Sequence, residues 1–96
     1  VKKVYMSELK VVPIHQRKFE MHKDGVCVGY MDYHEGVGSL YLDYVFVEPE
    51  YRDQEIGKEI VKQGILLAQE KNMRPKPICG YASTIMKRHN WPEELV

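Results

Sequence analysis

The chain has 96 residues, 44% of them hydrophobic, and its 14 Lys and Arg are balanced by 14 Asp and Glu. This length predicts a single small domain over 1–96. The neutral balance excludes the basic footprint expected of a protein that binds nucleic acid or an anionic membrane. No apolar run approaches the roughly 20 residues of a membrane helix, and two cysteines are too few for a disulfide scaffold. We therefore expect a cytoplasmic domain with reduced thiols.

The first third of the sequence predicts an antiparallel meander. Residues 1–16 are mixed in character and are interpreted as an N-terminal arm or a short edge strand. Alternating polarity predicts strands over 17–22 and 26–33. The Asp24-Gly25 dipeptide between them is a strong hairpin signal.

The segment 40–47, LYLDYVFV, has the strongest β propensity in the chain. Both of its faces are largely apolar, so it is expected to be a central strand covered on both sides. Strict alternation places its side chains on two faces. One face would carry Leu40, Leu42, Tyr44 and Phe46, and the other Tyr41, Asp43, Val45 and Val47.

The second half changes to helical spacing. Apolar residues recur every three or four positions over 54–71, which predicts an amphipathic helix that Asn72 can end in the left-handed conformation. Two prolines make 74–79 an edge strand or the start of one, and 81–90 predicts a short second helix. The order β-β-β-α-β-α predicts a mixed α/β (α+β) fold, in which the meander is followed by a crossover helix, a strand and a short C-terminal helix.

The stretch VEPEYRDQEIGKEIV, residues 47–61, permits two interpretations. In the first, it is an ordinary acidic helix start, with Asp53 as N-cap and Glu55 favoured by the helix dipole. In the second, the turn before the helix binds a pyrophosphate through backbone N–H groups. Gly57 would then allow close approach, while Arg52 and Lys58 supply positive charge.

Two motifs in this chain resemble those of one family. Residues 47–60 resemble the acetyl-CoA loop of the GNAT superfamily of N-acetyltransferases, whose pattern is R-x-x-G-x-G/A. Downstream, RPKPICGYASTIMKRH is similar to the P-L-C-x-Y ending of the small single-domain GNAT-like proteins. The resemblance covers residues 17–92 and implies the abbreviated GNAT fold, which has the same order of elements.

The resemblance also implies a set of cofactor-binding positions. Free backbone groups near Val45 and Val47 would bind the pantetheine of acetyl-CoA. The turn would hold the pyrophosphate, and the basic end of the last helix would contact the phosphates. The positions concerned are Arg52, Asp53, Gln54, Ile56, Gly57, Lys58, Arg88 and His89. For the last two, a cationic helix C-terminus that complements the dipole is the alternative.

The acetyl-CoA loop departs from the family pattern at two positions. Asp53 and Glu55 stand where glycines are usual, and Glu55 replaces the first glycine of the core motif. A Glu55 side chain that points to solvent leaves the site usable. One that folds inward would repel a pyrophosphate.

The same resemblance makes Cys79 the favoured catalytic candidate, as proton donor to the leaving thiolate or as acetyl acceptor. Tyr81 is the second candidate. A small buried hydrophobe at Cys79 and a packing or capping role for Tyr81 are the alternatives. No general base is evident, although a water chain to Glu48 or His34 can be imagined. Histidines 15, 22, 34 and 89 show no metal spacing, so no metal is expected.

The sequence therefore predicts an acetyl-CoA-dependent N-acetyltransferase that acts on a primary amine by direct transfer in a ternary complex. Acetyl-CoA would be a cosubstrate. A non-catalytic acyl-CoA-binding or sensing module is one alternative, and an interaction domain that has lost the cofactor is another. The acceptor amine and the oligomeric state are left open.

Overall fold

The computed structural model describes residues 9–52 and 55–91. This part of the chain contains five strands and two helices. In chain order they are β1 Leu9–His15, β2 Lys18–Lys23, β3 Val26–Glu35, β4 Ser39–Val47, α1 Ile56–Glu70, β5 Arg74–Pro77 and α2 Gly80–Arg88. A short 3-10 turn, Pro49–Tyr51, follows β4. The predicted elements are confirmed, and the described part of the segment interpreted as an arm or edge strand forms edge strand β1.

The strands form one mixed sheet in the order β1-β2-β3-β4-β5. The first four strands are antiparallel neighbours, and β5 pairs parallel to β4 through the crossover helix α1. The hairpin between β2 and β3 turns at Asp24 and Gly25, whose φ angles are 54° and 83°. Positive φ at both central positions is the requirement of a type I′ turn, which the Asp-Gly dipeptide predicted.

A β-bulge in β4 corrects the predicted division of its side chains. Asp32 pairs with Tyr44 and Tyr33 pairs with Leu42, so Asp43 is the extra residue. Past this point the alternation is inverted. Leu40, Leu42, Val45 and Val47 are buried on one face, whereas Tyr41, Tyr44 and Phe46 lie on the other. The prediction was right up to Leu42 and wrong beyond it, because a single-residue bulge shifts the period by one.

The core lies between one face of the sheet and the two helices, which contact β4, β5 and each other. Helix α1 contributes Ile56, Ile60, Val61, Ile65 and Ala68, and α2 contributes Ala82, Ile85 and Met86. Helix α1 ends in a Schellman motif. The Asn72 N–H donates to Gln69 O and the Met73 N–H to Ala68 O, with Asn72 at φ 61°. The left-handed role predicted for Asn72 is confirmed.

The opposite side of the sheet, here called the outer face, carries aromatic and charged side chains. Tyr30 stacks on Phe46 at 5.5 Å between ring centroids and lies 6.2 Å from the ring of Tyr44. The Lys18 ammonium lies 4.2 Å from the centre of the Tyr30 ring. Tyr44 is 48% exposed, so the prediction that β4 is covered on both sides is wrong for the described residues. In the same residues, neither helix has the length and apolar character to cross a bilayer.

Candidate functional site

The two parallel strands separate part of the way along β4. Their last paired residues are Leu42 and Pro77. The next two N–H groups, of Ile78 and Cys79, both donate to the carbonyl oxygen of Leu42, at 2.9 and 3.1 Å. The chain then turns into α2 at Gly80, while β4 continues to Val47. The result is a cleft with the end of β4 as one wall.

The bulge at Asp43 determines which backbone groups face this cleft. The Glu48 N–H donates to Val28 O of β3. Because peptide groups alternate between the two edges of a strand, the N–H and C=O of Val47 point the other way, into the cleft. Val45, two residues earlier, has the same orientation. These are the two positions at which the family resemblance implied free backbone groups.

Tyr81 and Arg52 close the two sides of the groove in the cleft. The groove has a volume of about 340 Å³ and is lined by Tyr44, Val45, Phe46, Val47, Arg52 and Tyr81. Arg52 Nε donates to the carbonyl of Val47 at 2.8 Å, and its guanidinium carbon lies 5.6 Å from the Phe46 ring centre. One cationic side chain is thereby held at the mouth of the groove, with its other N–H groups available to an anion.

Helix α1 begins beside this groove without a side-chain cap. Glu55 occupies the N-cap at φ 61° and ψ 22°, and its side chain makes no capping hydrogen bond. The first intrahelical bond runs from Glu59 N to Glu55 O. Three backbone donors, at residues 56–58, therefore precede the hydrogen-bonded ladder. A left-handed residue followed by right-handed ones also turns successive N–H groups toward one concavity, the geometry of an anion nest.

Glu55 points outward. Its side chain is 79% exposed and reaches Lys58 Nζ at 4.0 Å. The N-cap of α1 is Glu55 and not the predicted Asp53. Glu55 takes this position through its left-handed backbone conformation, since its carboxylate makes no capping hydrogen bond. Asp53 and Gln54 lie outside the described residues, so their predicted contacts with a cofactor stay predictions.

Gly57 is in contact with the ring of Tyr81. A Cβ on Gly57 would lie 2.7 Å from both Cε2 and Cζ of Tyr81. Glycine at this position lets the tyrosine lie across the first turn of α1 and form the groove wall. The motif glycine thus acts here through a side-chain contact that the sequence did not reveal.

The remaining predicted residues lie on α2 or at its ends. Cys79 is the N-cap of α2, is half-buried against the core, and its carbonyl accepts from Ser83 N at 3.0 Å. It is not among the described residues that line the groove. Arg88 and His89 lie at the other end of α2, about 13 Å along a nine-residue helix. His89 stacks on Trp91 at 5.0 Å. This placement fits the alternative in which the cationic C-terminus of α2 complements the helix dipole. The predicted contacts of Arg88 and His89 with the phosphates of acetyl-CoA stay predictions.

A His-Asp pair on the outer face of the sheet was missed as a unit. His34 Nδ1 lies 2.7 Å from Asp43 Oδ2, and the imidazole stacks on Tyr41 with 4.8 Å between ring centroids. Since an ionised carboxylate only accepts, Nδ1 carries the proton that Asp43 accepts, and in the neutral imidazole Nε2 is then the acceptor. Asp43 is the bulged residue of β4 and immediately precedes Tyr44 of the groove wall. The sequence carries no signal for this bulge.

A second group of titratable side chains lies on the outer face of the β2–β3 hairpin. Glu20 Oε1 and His22 Nε2 are 2.8 Å apart, and this contact lowers the pKa of Glu20 below its usual value. The Cys27 thiol donates to Gly29 O at 3.5 Å, and burial raises its pKa. Cys27 is therefore held in the thiol form at neutral pH.

A groove larger than the one in the cleft, about 700 Å³, lies elsewhere, between edge strand β1 and helix α1. Its walls are mainly apolar and include Val11, Phe19, Leu66 and Leu67. Glu70 is the one charged side chain among the described residues that line it. Volume alone would favour this groove, but the cleft has the backbone donors and cations that recognise a phosphorylated ligand, so we assign the site to the cleft.

The fold matches solved N-acetyltransferase structures. A GCN5-like candidate N-acetyltransferase from Staphylococcus aureus, solved in solution, superposes with a TM-score of 0.68 at 21% identity, over 88% of this chain and 84% of that one. A candidate streptothricin acetyltransferase from Bacillus anthracis, in complex with acetyl coenzyme A, gives 0.62 at 16% identity. The aminoglycoside N-acetyltransferase AAC(6')-Iy, in complex with CoA, gives 0.57 at 19% identity. The class that the mixed sheet and cleft define is the N-acetyltransferase fold.

The chain belongs to the family of GCN5-related N-acetyl-transferases, whose family model matches residues 18–95. The resemblance to this family is confirmed, the details of the two motifs stay predictions, and acetyl transfer is the general chemistry that membership supports. The chain covers 53% of the Bacillus anthracis protein and 59% of the aminoglycoside enzyme, so it corresponds to little more than half of either. No curated protein matches it significantly.

Proposed function

We propose that this protein is an acetyl-CoA-dependent N-acetyltransferase that acetylates a primary amine by direct transfer within a ternary complex. The observation that carries the proposal is the continuity of the cleft. Backbone groups of Val45 and Val47 face the gap between β4 and β5, and Tyr81 of the groove wall contacts Gly57 in the uncapped first turn of α1. An elongated ligand that carries amide groups followed by a pyrophosphate matches the order of these backbone groups.

The residues present fit such a ligand. The N–H groups of Ile56, Gly57 and Lys58 would hold the pyrophosphate, with Lys58 and Arg52 supplying positive charge. The side chain of Glu55 opposes this only weakly, because a solvent-exposed charge is screened. Val45 and Val47 would bind the pantetheine amides as an added strand would.

Acetyl-CoA, when bound, supplies a thioester carbonyl. Backbone N–H groups of β4 that face the cleft would polarise that carbonyl as the amine nitrogen forms its bond to carbon. Tyr81, on the groove wall, would donate its proton to the departing sulfur. Cys79, one residue before α2, is the second candidate for this role. The Nε2 of His34 would receive the proton lost by the amine, while Asp43 holds the imidazole in orientation.

The test separates binding from turnover. Calorimetry with acetyl-CoA and with CoA should show binding at one site, and thiol release across a panel of amines should show turnover with at least one of them. Arg52→Met should weaken CoA at least tenfold, whereas pantetheine, which lacks the pyrophosphate, should lose no affinity. Absence of CoA binding at millimolar ligand would overturn the proposal.

One observation favours a second candidate, a non-catalytic acyl-CoA-binding module. Arg52 donates to the same Val47 carbonyl that a pantetheine amide would use, so part of the backbone edge is already satisfied. A protein that only senses acyl-CoA can tolerate competition between Arg52 and a pantetheine amide for this carbonyl. It does not have to bring an amine close to the thioester. Tight CoA binding without thiol release for any amine would support this alternative.

A further inference from the structure

We propose that Glu20, His22 and Cys27 form a binding site for Zn²⁺, or a divalent transition metal of similar preference, on the outer face of the β2–β3 hairpin. The three ligand atoms all lie within 4.8 Å of one another. The site is separate from the cleft and does not depend on the proposed acetyl transfer.

The hairpin itself brings the three side chains together. The two-residue turn at Asp24 and Gly25 sets His22 directly opposite Cys27 in the antiparallel ladder. Opposite residues project on the same side, with Cβ atoms roughly 4.5–5.5 Å apart. Glu20 precedes His22 by two positions on the same strand and therefore shares its face.

The distances need only side-chain adjustment. Zinc bonds of roughly 2.0–2.3 Å in a tetrahedron place ligand atoms about 3.3–3.7 Å apart. The 2.8 Å contact between Glu20 and His22 would open by several tenths of an ångström as the ion takes the place of the hydrogen bond. The thiol would exchange its long contact with the Gly29 carbonyl, at 3.5 Å, for the metal.

The donor set selects the metal. One sulfur, one imidazole nitrogen and one carboxylate oxygen suit zinc, whereas calcium and magnesium take oxygen ligands. Three protein ligands leave a fourth position for water. The side chains of His22 and Glu20 are 25% and 26% exposed, which leaves room for that water and for entry of the ion.

The charges nearby are mixed. Two carboxylates, of Glu20 and Glu48, act electrostatically on Cys27 and favour a cation. Lys10 of β1 pairs with His22 across the ladder, and its positive charge disfavours a bound cation. Because the Lys10 side chain is exposed, that charge is screened. With a thiolate and a carboxylate as ligands, a divalent ion would leave the site electrically neutral.

Sequence spacing predicted no metal because the ligands form no compact motif. Glu20 and His22 are two apart, and Cys27 follows only after the turn. Their convergence requires the hairpin register, which places residues five apart opposite each other. An ion there would join β2 to β3, one strand away from the end of β4, because Gly29 of β3 pairs with Val47.

The binding experiment uses the full chain stripped of metal by a chelator. Zn²⁺ measured against a chromophoric competitor should bind with 1:1 stoichiometry, and Co²⁺ should give a thiolate-to-metal charge-transfer band. Cys27→Ser should abolish that band. Cys27→Ser and His22→Ala should each weaken Zn²⁺ by more than the roughly 10–100-fold typical of losing an outer partner. Cys79→Ser and His34→Ala are the matched controls and should leave binding unchanged.

A second measurement avoids substitutions that can disturb the fold. In the unmodified protein, Zn²⁺ should slow alkylation of Cys27 at least tenfold and leave the alkylation rate of Cys79 unaltered, as read by mass mapping. Equal rates with and without Zn²⁺ at Cys27 would overturn the proposal. So would undiminished zinc affinity in a folded Cys27→Ser variant.

Discussion

The Tyr81 ring lies so close to Gly57 that a Cβ at this position would be 2.7 Å from its Cε2 and Cζ atoms. The contact joins the first turn of α1 to the first turn of α2 and forms one wall of the groove. Because Tyr81 is 46% exposed, its ring has solvent to turn into. A side chain at residue 57 would therefore move the tyrosine before it moved either helix.

Gly57→Ala should weaken CoA binding at least tenfold while changing the free energy of unfolding by less than about 1 kcal/mol. The displaced ring would alter the groove, and the better helix propensity of alanine would offset part of the crowding. Calorimetry and urea unfolding measure the two effects. The control is the same substitution in a Tyr81→Ala background, where it should have no further effect on CoA affinity.

Glu55→Gly should raise the free energy of unfolding by about 0.5–1 kcal/mol, because Glu55 adopts the left-handed conformation that glycine accepts without strain. Glu55→Gln is the matched control, since it removes the charge and keeps the strained backbone. With the carboxylate in solvent, Gln should change CoA affinity less than about threefold. A much larger gain with Gln would mean that the carboxylate folds over the anion site.

Tyr81→Phe should lower kcat by about 100-fold, the lower range for loss of a general acid, with little change in CoA affinity because the ring remains. Cys79→Ala should lower kcat less than tenfold, since Cys79 is half-buried at the N-cap of α2 and Tyr81 lines the groove. Steady-state kinetics with the best amine decides between them. The reverse ranking would assign the proton donor to Cys79, as the family resemblance favoured.

His34→Ala should reduce kcat about 100-fold if Nε2 takes the amine proton, without altering CoA binding. Asp43→Asn should give a smaller loss, because the imidazole would keep a partner but not its orientation. His22→Gln serves as a control for loss of a histidine on the same face. Full activity in His34→Ala would exclude the dyad from the reaction.

Glu20→Gln should destabilise the metal-free protein at neutral pH, and the difference should vanish in acid. Contact with His22 lowers the pKa of Glu20 from the usual 4.5. A lowered carboxyl pKa contributes stability that is present above the unfolded-state value and is lost as pH falls through the folded-state value. Urea unfolding of both proteins from pH 7 to pH 3 measures the window, which lies below pH 4.5. A constant difference throughout this range would contradict the assignment.

Much of the local structure was available from the residues themselves. The Asp24-Gly25 dipeptide predicted the hairpin. A two-residue type I′ turn needs a positive φ at both positions, and few residues adopt this conformation. The helical period of α1 was visible because a helix against a sheet must bury one face. Asn72 marked the end of α1 for the same conformational reason as Gly25. The motif at 47–60 predicted the start of α1 as the candidate site for a cofactor, and this stays a prediction.

The sequence did not predict which face each later residue of β4 occupies, because this depends on one extra residue, Asp43. Nothing in LYLDYVFV distinguishes a regular strand from one bulged at Asp43, because both faces are apolar. Yet the bulge decides that Val45 and Val47, and not Tyr44 and Phe46, bury their side chains and turn their amides to the cleft.

By itself, the sequence determined the order of elements, the turn conformations and the family, since each depends on residues close together in the chain. Only the tertiary structure decided that Glu55 points to solvent, that Gly57 lies under Tyr81, and that Glu20, His22 and Cys27 converge. These relationships follow from strand register and helix docking. Both are set by packing among residues distant in the chain, and a shift of one position reverses the face that every later side chain occupies.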